Sequence, residues 1–395
     1  MNRVALLTIG DELLEGRTVD RNGARLADAF TRAGGRVVGM ASERDHADAI
    51  AAALTLLAGR AETIVVTGGL GPTPDDLTRE GLAAAAGVAL VDDDDMLAAV
   101  ARRTVGRSPE RNARQARRPE NATTIENPAG SAPGLRVPIG GAIAYALPGV
   151  PDEVEAMLPA VLADWRARTG AEPVARRTLH VFGLREADLA DRLGGLLDRA
   201  GEPEVSITVH TGVISVTIRG PGTDERADRV RAILGDFCFG EGGATLASAV
   251  VERLAAAGAT LALAESLTGG LVSKLVVDVP GASRVLLGSV VAYAPAAKRA
   301  LLDVPADAIA RGVVTEETAC AMAVGARARF GADFGLATTG VAGPGPESGI
   351  EPGRGFIALA GPGGAEARAL RAPGGRDRVR QRFALTALDM LRRKT

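Results

Sequence analysis

The sequence predicts a three-part α/β chain: a doubly wound sheet over 1–170, a small α+β unit over 171–243, and a second α/β unit over 244–395. Three observations point there. Apolar strand-like runs alternate with helix-like runs through the first part, the pattern of βα repeats with helices on both faces of a mostly parallel sheet. In the middle, two alternating strands lie back to back between helices. The last part returns to apolar strands and Ala-rich helices.

The elements follow in order. "RVALLTI" (3–9) is an apolar strand and "RNGARLADAFTRAG" (21–34) a helix with apolar positions at helical spacing. "GRVVGMAS", "ADAIAAALTLLAG" and "ETIVVTGG" continue as strand, helix, strand. "DDLTREGLAAAAG" begins a helix at its aspartates and ends it at Gly87. "DDDDMLAAVARR" (92–103) bunches carboxylates where a helix dipole favours them. "AIAYALPGVPDEVEAMLPAVL" (142–162) reads as strand, turn and helix. From 176, "RRTLHVFG", "READLADRLGGLLDRAG", "EVSITVHTGVISVTIRG" and "TDERADRVRAILGDF" give β-α-β-β-α, with the strands turned near Thr211-Gly212 and "GEGG" (240–243) as a linker. Then come a helix at 244–257, the strand "ATLALAES", a helix opened by Gly269-Gly270 and the strand "LLGSVVAYA". A helix capped at Thr315, the strands "ADFGLATTG" and "RGFIALAG", and a closing helix from 375 complete the chain.

Composition removes several function classes. The chain is 46% hydrophobic but only 3% aromatic, so Ala, Val, Leu and Gly must build the interior. A net charge of −2 leaves no global basic footprint for nucleic acid. No apolar run reaches the ~20 residues of a membrane span, and no secretory leader pattern opens the chain, so a cytoplasmic protein is expected. Cys238 and Cys320 offer neither a disulfide framework nor zinc-ligand spacing. The three histidines are His46, His180 and His210, so a Ser-His-Asp triad cannot form within the last part.

Two glycine-rich strand ends are candidate sites. At Thr67-Gly68-Gly69-Leu70-Gly71 nothing projects from the glycines, and the following helix would aim free N–H groups at a phosphate. Asp75 or Asp76 alone reads equally well as a helix cap, whereas the pair beside a phosphate seat suits a bridging divalent cation. Asp11 and Glu12 stand at the carboxyl end of the first strand, the edge where open α/β sheets bind ligands, and Asn22 follows as an amide able to read a ribose or pterin ring. In the last part, "ESLTGG" offers Gly269 and Gly270 amides to a phosphate or oxyanion. Thr339 and Gly340 form a second flexible strand end, and Arg376 and Arg380 could clamp a monophosphate. Ser266, Thr268, Ser283 and Ser289 are the hydroxyl candidates. Lys298, in an apolar wall, is a candidate base. "PGASRVLLGSVVAYAPAAK" allows a Ser283–Tyr293–Lys298 cluster. The same spacing also suits a turn-capping serine, a strand aromatic and a surface lysine.

"TIGDELLEGRTVDRN", "TGGLGPTPDDLTRE", "NARQARRPENATTIENPAGSAPG" and "LPGVPDEVEAML" resemble successive signatures of the CinA family. "AESLTGG", "GSVVAYAPAAKRALLDV", "GVVTEETACAMAVGA" and "ATTGVAGP" are similar to its C-terminal domain. The resemblance implies a molybdopterin-binding-like first domain, a KH-like middle domain and a C-terminal deamidase domain. For the first it implies metal-dependent ADP-ribose pyrophosphatase activity, with a divalent ion of the Mg, Mn or Co class. Asp11, Asp75 and Asp76 would serve the metal, and Asn22, Thr67, Gly68, Gly69 and Gly71 the substrate. For the last it implies a cofactor-free hydrolysis of nicotinamide mononucleotide (NMN) to nicotinic acid mononucleotide and ammonia. There Ser283 would be the nucleophile, Lys298 its base and Tyr293 a partner. Ser266, Thr268, Gly269, Gly270, Thr339, Gly340, Arg376 and Arg380 would contact substrate. A homodimer is expected. The middle domain lacks a Gly-X-X-Gly loop, so RNA binding is not expected of it. The alternative function is a pterin- or nucleotide-binding accessory factor linked to competence or DNA damage, without turnover by the first domain. Ser289, Ala294-Pro295 and "PGRG" (352–355) depart from the family pattern.

Overall fold

Every residue of β1 (Arg3–Ile9) from Val4 onward is buried, as expected of a strand covered on both faces. The computed structural model describes residues 2–104, 112–197 and 201–395, which group into two compact units, Met1–Ala175 and Arg176–Thr395.

In the first unit, β1 lies between β2 (Arg36–Glu43) and β3 (Thr63–Thr67), all parallel. A short antiparallel pair, β4 (Leu90–Asp92) and β5 (Arg117–Pro119), stands apart. Beyond β3 the main sheet changes sense. β6 (Thr123–Ile125), β7 (Gly134–Ile139) and β8 (Ala142–Leu147) complete the order β2-β1-β3-β8-β7-β6, with β8 parallel to β3 and the last two pairs antiparallel. The cause is local: only Gly140-Gly141 separates β7 from β8, with Gly140 at φ 56°, so the chain closes a hairpin instead of crossing over. Ile50, Leu54 and Leu82 pack one face of the sheet, and Phe30, Met157 and Trp165 the other. The long helix Pro151–Thr169 starts with proline at its first turn and stops at the left-handed Gly170.

The helix expected from Asp75 starts at Thr78. The segment before it is held as a turn by Asp76, as described below. Likewise the helix at 94–103 is preceded by Asp93, whose side chain accepts from Met96 N–H, so one of the bunched aspartates is a true cap.

The second unit holds two sheets. β9 (Arg176–Phe182), β10 (Glu204–His210), β11 (Val213–Arg219) and β12 (Cys238–Glu241) are antiparallel in the order β10-β11-β9-β12, the hairpin turning at Thr211-Gly212. The helix expected over 185–201 spans Glu186–Leu193, and 198–200 lie outside the described residues. The expected "GEGG" linker is in part β12. Glu241 fastens it, accepting from Arg177 Nε and Nη2 at 2.6 and 2.8 Å.

The other sheet runs β14-β13-β15-β16-β17, with β13 (Leu261–Glu265), β14 (Leu286–Val291), β15 (Phe334–Gly340), β16 (Arg354–Gly361) and β17 (Gly364–Arg371). β13 is parallel to both β14 and β15, and β15, β16 and β17 are antiparallel in turn. The closing helix Arg376–Arg392 touches both sheets of the unit. Its Arg382 guanidinium lies 4.7 Å from the Phe182 ring centre, Arg392 donates to Asp236 O at 2.7 Å, and Val379, Phe383 and Leu388 join the core around β13 and β15. Among the described residues no helix is long and apolar enough to cross a membrane.

Candidate functional site

The carboxyl ends of β1, β3 and β8 open onto a cavity of about 450 Å³. Gly68 (φ 103°) and Gly69 (φ 63°) occur where a side chain has no room. A Cβ on Gly68 would meet Ile9 O at 2.2 Å, and one on Gly69 would meet Thr78 Oγ1 at 2.3 Å. The loop after them is pinned from both sides. Asp76 accepts from Gly71 N–H (2.8 Å) and Thr73 N–H (2.7 Å), and the buried Arg79 donates to Leu70 O at 2.7 Å. Burial lowers the Arg79 guanidinium to about 10.

The ionisable side chains lining this cavity, among the described residues, are all carboxylates: Glu12, Asp45, Asp75, Asp76 and Glu153. Asp45 accepts from Asp11 N–H at 3.0 Å. Burial first, then the charges of Asp11, Glu12 and Asp75, push its carboxyl above the ordinary aspartate value against that hydrogen bond. Asp11 Oδ1 is buried without a hydrogen-bond partner, and its nearest cation, Arg44, stands 3.6 Å away. No three His, Cys, Asp or Glu side chains of the described residues converge as a ready-made metal cage.

The second site lies at the carboxyl ends of β13 and β14. Glu265 ends β13 with 1% exposure, and its carboxylate occupies the start of the helix Leu271–Val277. It accepts from Gly270 N–H (2.9 Å), Val272 N–H (3.0 Å), Ser273 N–H (2.8 Å) and Ser273 Oγ (2.5 Å). A buried carboxylate requires such donors, and the first turn of a helix has them to spare. The next residue, Ser266, is buried against Lys298, which is itself 1% exposed. Lys298 Nζ donates to Ser266 Oγ at 2.9 Å, Ala292 O at 2.7 Å and Tyr293 O at 3.1 Å. Burial lowers this amine to about 8, partly offset by the charge of Glu347. At the rim, Arg376 donates to Gly343 O at 2.7 Å and to the phenol oxygen of the exposed Tyr293 at 3.1 Å.

Comparison with known proteins covers nearly the whole chain. Residues 5–167 match the family described as "Probable molybdopterin binding domain", 176–240 "Damage-inducible protein CinA KH domain", and 243–395 "CinA C-terminal domain". A CinA-like protein of Frankia casuarinae is 41% identical, covering 99% of this chain and 96% of its own. Another, of an Anaeromyxobacter species, is 42% identical with 98% of each covered. The chain belongs to the CinA family. A crystal structure of CinA from Thermoplasma acidophilum, described as of unknown function, is 38% identical and covers 41% of this chain and 98% of its own, with a TM-score of 0.40.

For this CinA-family chain, some of the residues expected at the sites meet and others do not. Gly68, Gly69, Gly71, Asp75 and Asp76 line the first cavity. Each Asp76 oxygen accepts a hydrogen bond from one of the loop's own N–H groups, so Asp76 clasps the loop that lines the cavity. Thr67 is buried at the end of β3, and Asn22 donates to Gly149 O at 2.8 Å, which makes it a brace for the Pro148-Gly149 turn.

In the second site the structure does not bring the expected Ser283 to Lys298. Ser283 sits exposed in a 3-10 turn before β14, at the amino end of that strand, whereas Lys298 follows its carboxyl end. The strand between them has 6 residues, so roughly 20 Å separates the two ends. The serine that meets the lysine is Ser266. Tyr293 reaches Lys298 through its backbone carbonyl, not its phenol.

The Gly269 and Gly270 amides, expected to face a ligand, donate to Ser266 O and Glu265 Oε2. Arg380 is likewise taken, donating to Thr268 O at 2.8 and 3.2 Å. Thr268 Oγ1 pairs with Thr338 Oγ1 at 2.7 Å, and Thr339 Oγ1 donates to Val313 O at 2.7 Å. At Gly340 a Cβ would meet Arg354 O at 2.8 Å, so this glycine serves the β15–β16 crossing.

The sequence reasoning passed over Glu265 and Gln115. The first could have been found, since a carboxylate at an apolar strand end directly before a Gly-Gly helix start has an obvious use as a cap.

Proposed function

We propose that the second site is a serine–lysine amidohydrolase acting on the carboxamide of a nicotinamide nucleotide, NMN being the expected substrate. The observation that carries this is the buried Lys298–Ser266 hydrogen bond. A neutral lysine keeps two N–H bonds, and the carbonyls of Ala292 and Tyr293 are placed to accept both. The remaining lone pair then faces Ser266 Oγ, where it acts as base. The serine proton moves to Nζ as Oγ bonds to the carboxamide carbon. Collapse of the tetrahedral intermediate breaks the C–N bond, and Nζ returns the proton to the departing ammonia. Water then cleaves the acyl-enzyme by the same route, restoring Ser266 and releasing the carboxylate product. Arg376, exposed at the rim, would be the cation that meets the nucleotide's phosphate, giving up its bonds to Gly343 O or the Tyr293 phenol to do so.

For the first cavity we propose ADP-ribose diphosphate hydrolysis. A diphosphate beside five carboxylates is repelled unless a cation neutralises it. Asp11 Oδ1, which accepts no hydrogen bond and has only the Arg44 ion pair at 3.6 Å, and the raised carboxyl of Asp45 suit a divalent ion that takes one or two protein carboxylates and completes its shell with the ligand's phosphates. Such an ion, when bound, would offset the charge developing on the diphosphate. The chain itself shapes the seat through its glycine loop and pins that loop with Asp76 and Arg79.

The test uses the purified full chain with each substrate separately. Ammonia release from NMN, and AMP release from ADP-ribose only with a divalent salt, are the expected results. Inertness toward NMN over a range of pH removes the amidohydrolase assignment, and inertness toward ADP-ribose with Mg, Mn and Co salts removes the other.

A further inference from the structure

Gln115 stands in a short 3-10 turn, Arg114–Ala116, and lines the first cavity with only 2% of its surface exposed. Its Oε1 is buried with no hydrogen-bond partner, and among the described residues no side-chain bond of Gln115 is formed at all. A buried carboxamide without a partner is destabilising. The turn is tied down after Gln115: Asp93 N–H donates to Ala116 O at 2.9 Å, and β5 pairs with β4 immediately afterwards. An unpaired acceptor thus stands on the cavity wall.

Among the described residues the ionisable groups of the cavity are all carboxylates, acceptors themselves, and Ser131, whose hydroxyl also lines it, makes no bond to Gln115. A phosphate is also an acceptor. A hydroxyl or N–H of the ligand would supply the donor. We propose that Gln115 is a substrate-recognition residue of the first cavity, its carboxamide oxygen accepting a hydrogen bond from a ribose hydroxyl of the bound nucleotide. This rests on the proposed diphosphate hydrolysis for the ligand's class. It adds which part of the ligand this wall reads: the sugar on the Gln115 side, the phosphates on the glycine-loop side.

The test compares wild type with Gln115→Met, a side chain of similar length that needs no partner. Binding of ribose 5-phosphate and of its 2-deoxy and 3-deoxy analogues is measured by calorimetry with magnesium chloride present, and melting temperature without ligand. Wild type is expected to bind at least one deoxy analogue about tenfold more weakly than ribose 5-phosphate, the effect of one lost hydrogen bond. Gln115→Met should bind all three at the weaker level. Its ligand-free melting temperature should equal or exceed that of wild type, because the unpaired amide is gone. An unchanged preference in Gln115→Met overturns the proposal. So does a variant that melts lower and loses affinity for all three sugars by the same factor, the signature of a structural role. If wild type binds ribose 5-phosphate selectively but leaves ADP-ribose intact, the diphosphatase assignment falls and the Gln115 contact stands.

Discussion

Both sites begin with the same phrase, an apolar strand running into two glycines, and the two phrases end in opposite electrostatics. At Thr67-Gly68-Gly69 the acidic residues follow the glycines. Asp76 folds back onto the loop, and the cavity that remains is lined by carboxylates. At Glu265-Ser266-Leu267-Thr268-Gly269-Gly270 the acidic residue precedes the glycines. It reaches forward into the helix start and fills it, and a buried lysine stands against the serine that follows it. The side of the Gly-Gly pair on which the carboxylate stands thus separates a cavity lined by acidic side chains from a helix start filled from within. On the proposed functions, the first would call for a cation and the second would hold its own base.

The largest effect that would break this contrast lies in the second site. Ser266→Ala should lower NMN deamidation by at least about a thousandfold, as loss of a nucleophile does, while Ser283→Ala stays within about threefold of wild type. The reverse result would return the nucleophile to Ser283 and leave the Lys298–Ser266 contact without a catalytic use.

Chelation comes next. EDTA should abolish ADP-ribose hydrolysis and spare deamidation, since the ionisable side chains of the first cavity, among the described residues, are all carboxylates, whereas the second site offers a lysine. Equal loss of both activities would mean that the two sites do not differ as described.

The third test is pH. With Lys298 lowered to about 8, its neutral form falls about tenfold for each unit below that value, so deamidation should rise with pH and level off above about 8. The sign follows from the base being the deprotonated amine. A rate independent of pH from 6 to 9 would exclude it.

The smallest effect concerns stability. Glu265→Gln keeps the length but loses the charge that gathers four donors, and should cost about 1–3 kcal/mol in thermal or denaturant unfolding, with Ser266 less well placed. An unchanged melting temperature would show that the helix start does not need the carboxylate.

Much of this was legible in the sequence. The strands β1, β3, β13 and β15 announce themselves as apolar runs, and Lys298 stands out in an arginine-preferring chain. The nucleophile role of Ser283 rests on the family resemblance, and spacing alone leaves it open beside a turn-capping role. Nearness in sequence would prefer Ser283 to Ser266 as the partner of Lys298. A parallel sheet reverses that preference, because it brings together the residues that follow neighbouring strands and sends those that precede them to the far edge. β12 was missed because its glycine looks like a linker until Arg177 is seen holding Glu241. Gln115 was illegible for another reason. Its significance is a missing hydrogen-bond partner, which depends on how distant parts of the chain pack around it and leaves no mark in the sequence.

Glu265 also carries a consequence for anyone seeking to block the second site. Phosphonates and sulfonates that mimic nucleotides commonly lodge at a glycine turn, where a helix offers its positive end. Here that berth is already occupied from within by the Glu265 carboxylate, so on the proposed function such compounds would have to find purchase at the Arg376 rim, and a reagent that acylates a buried hydroxyl would be the better starting point.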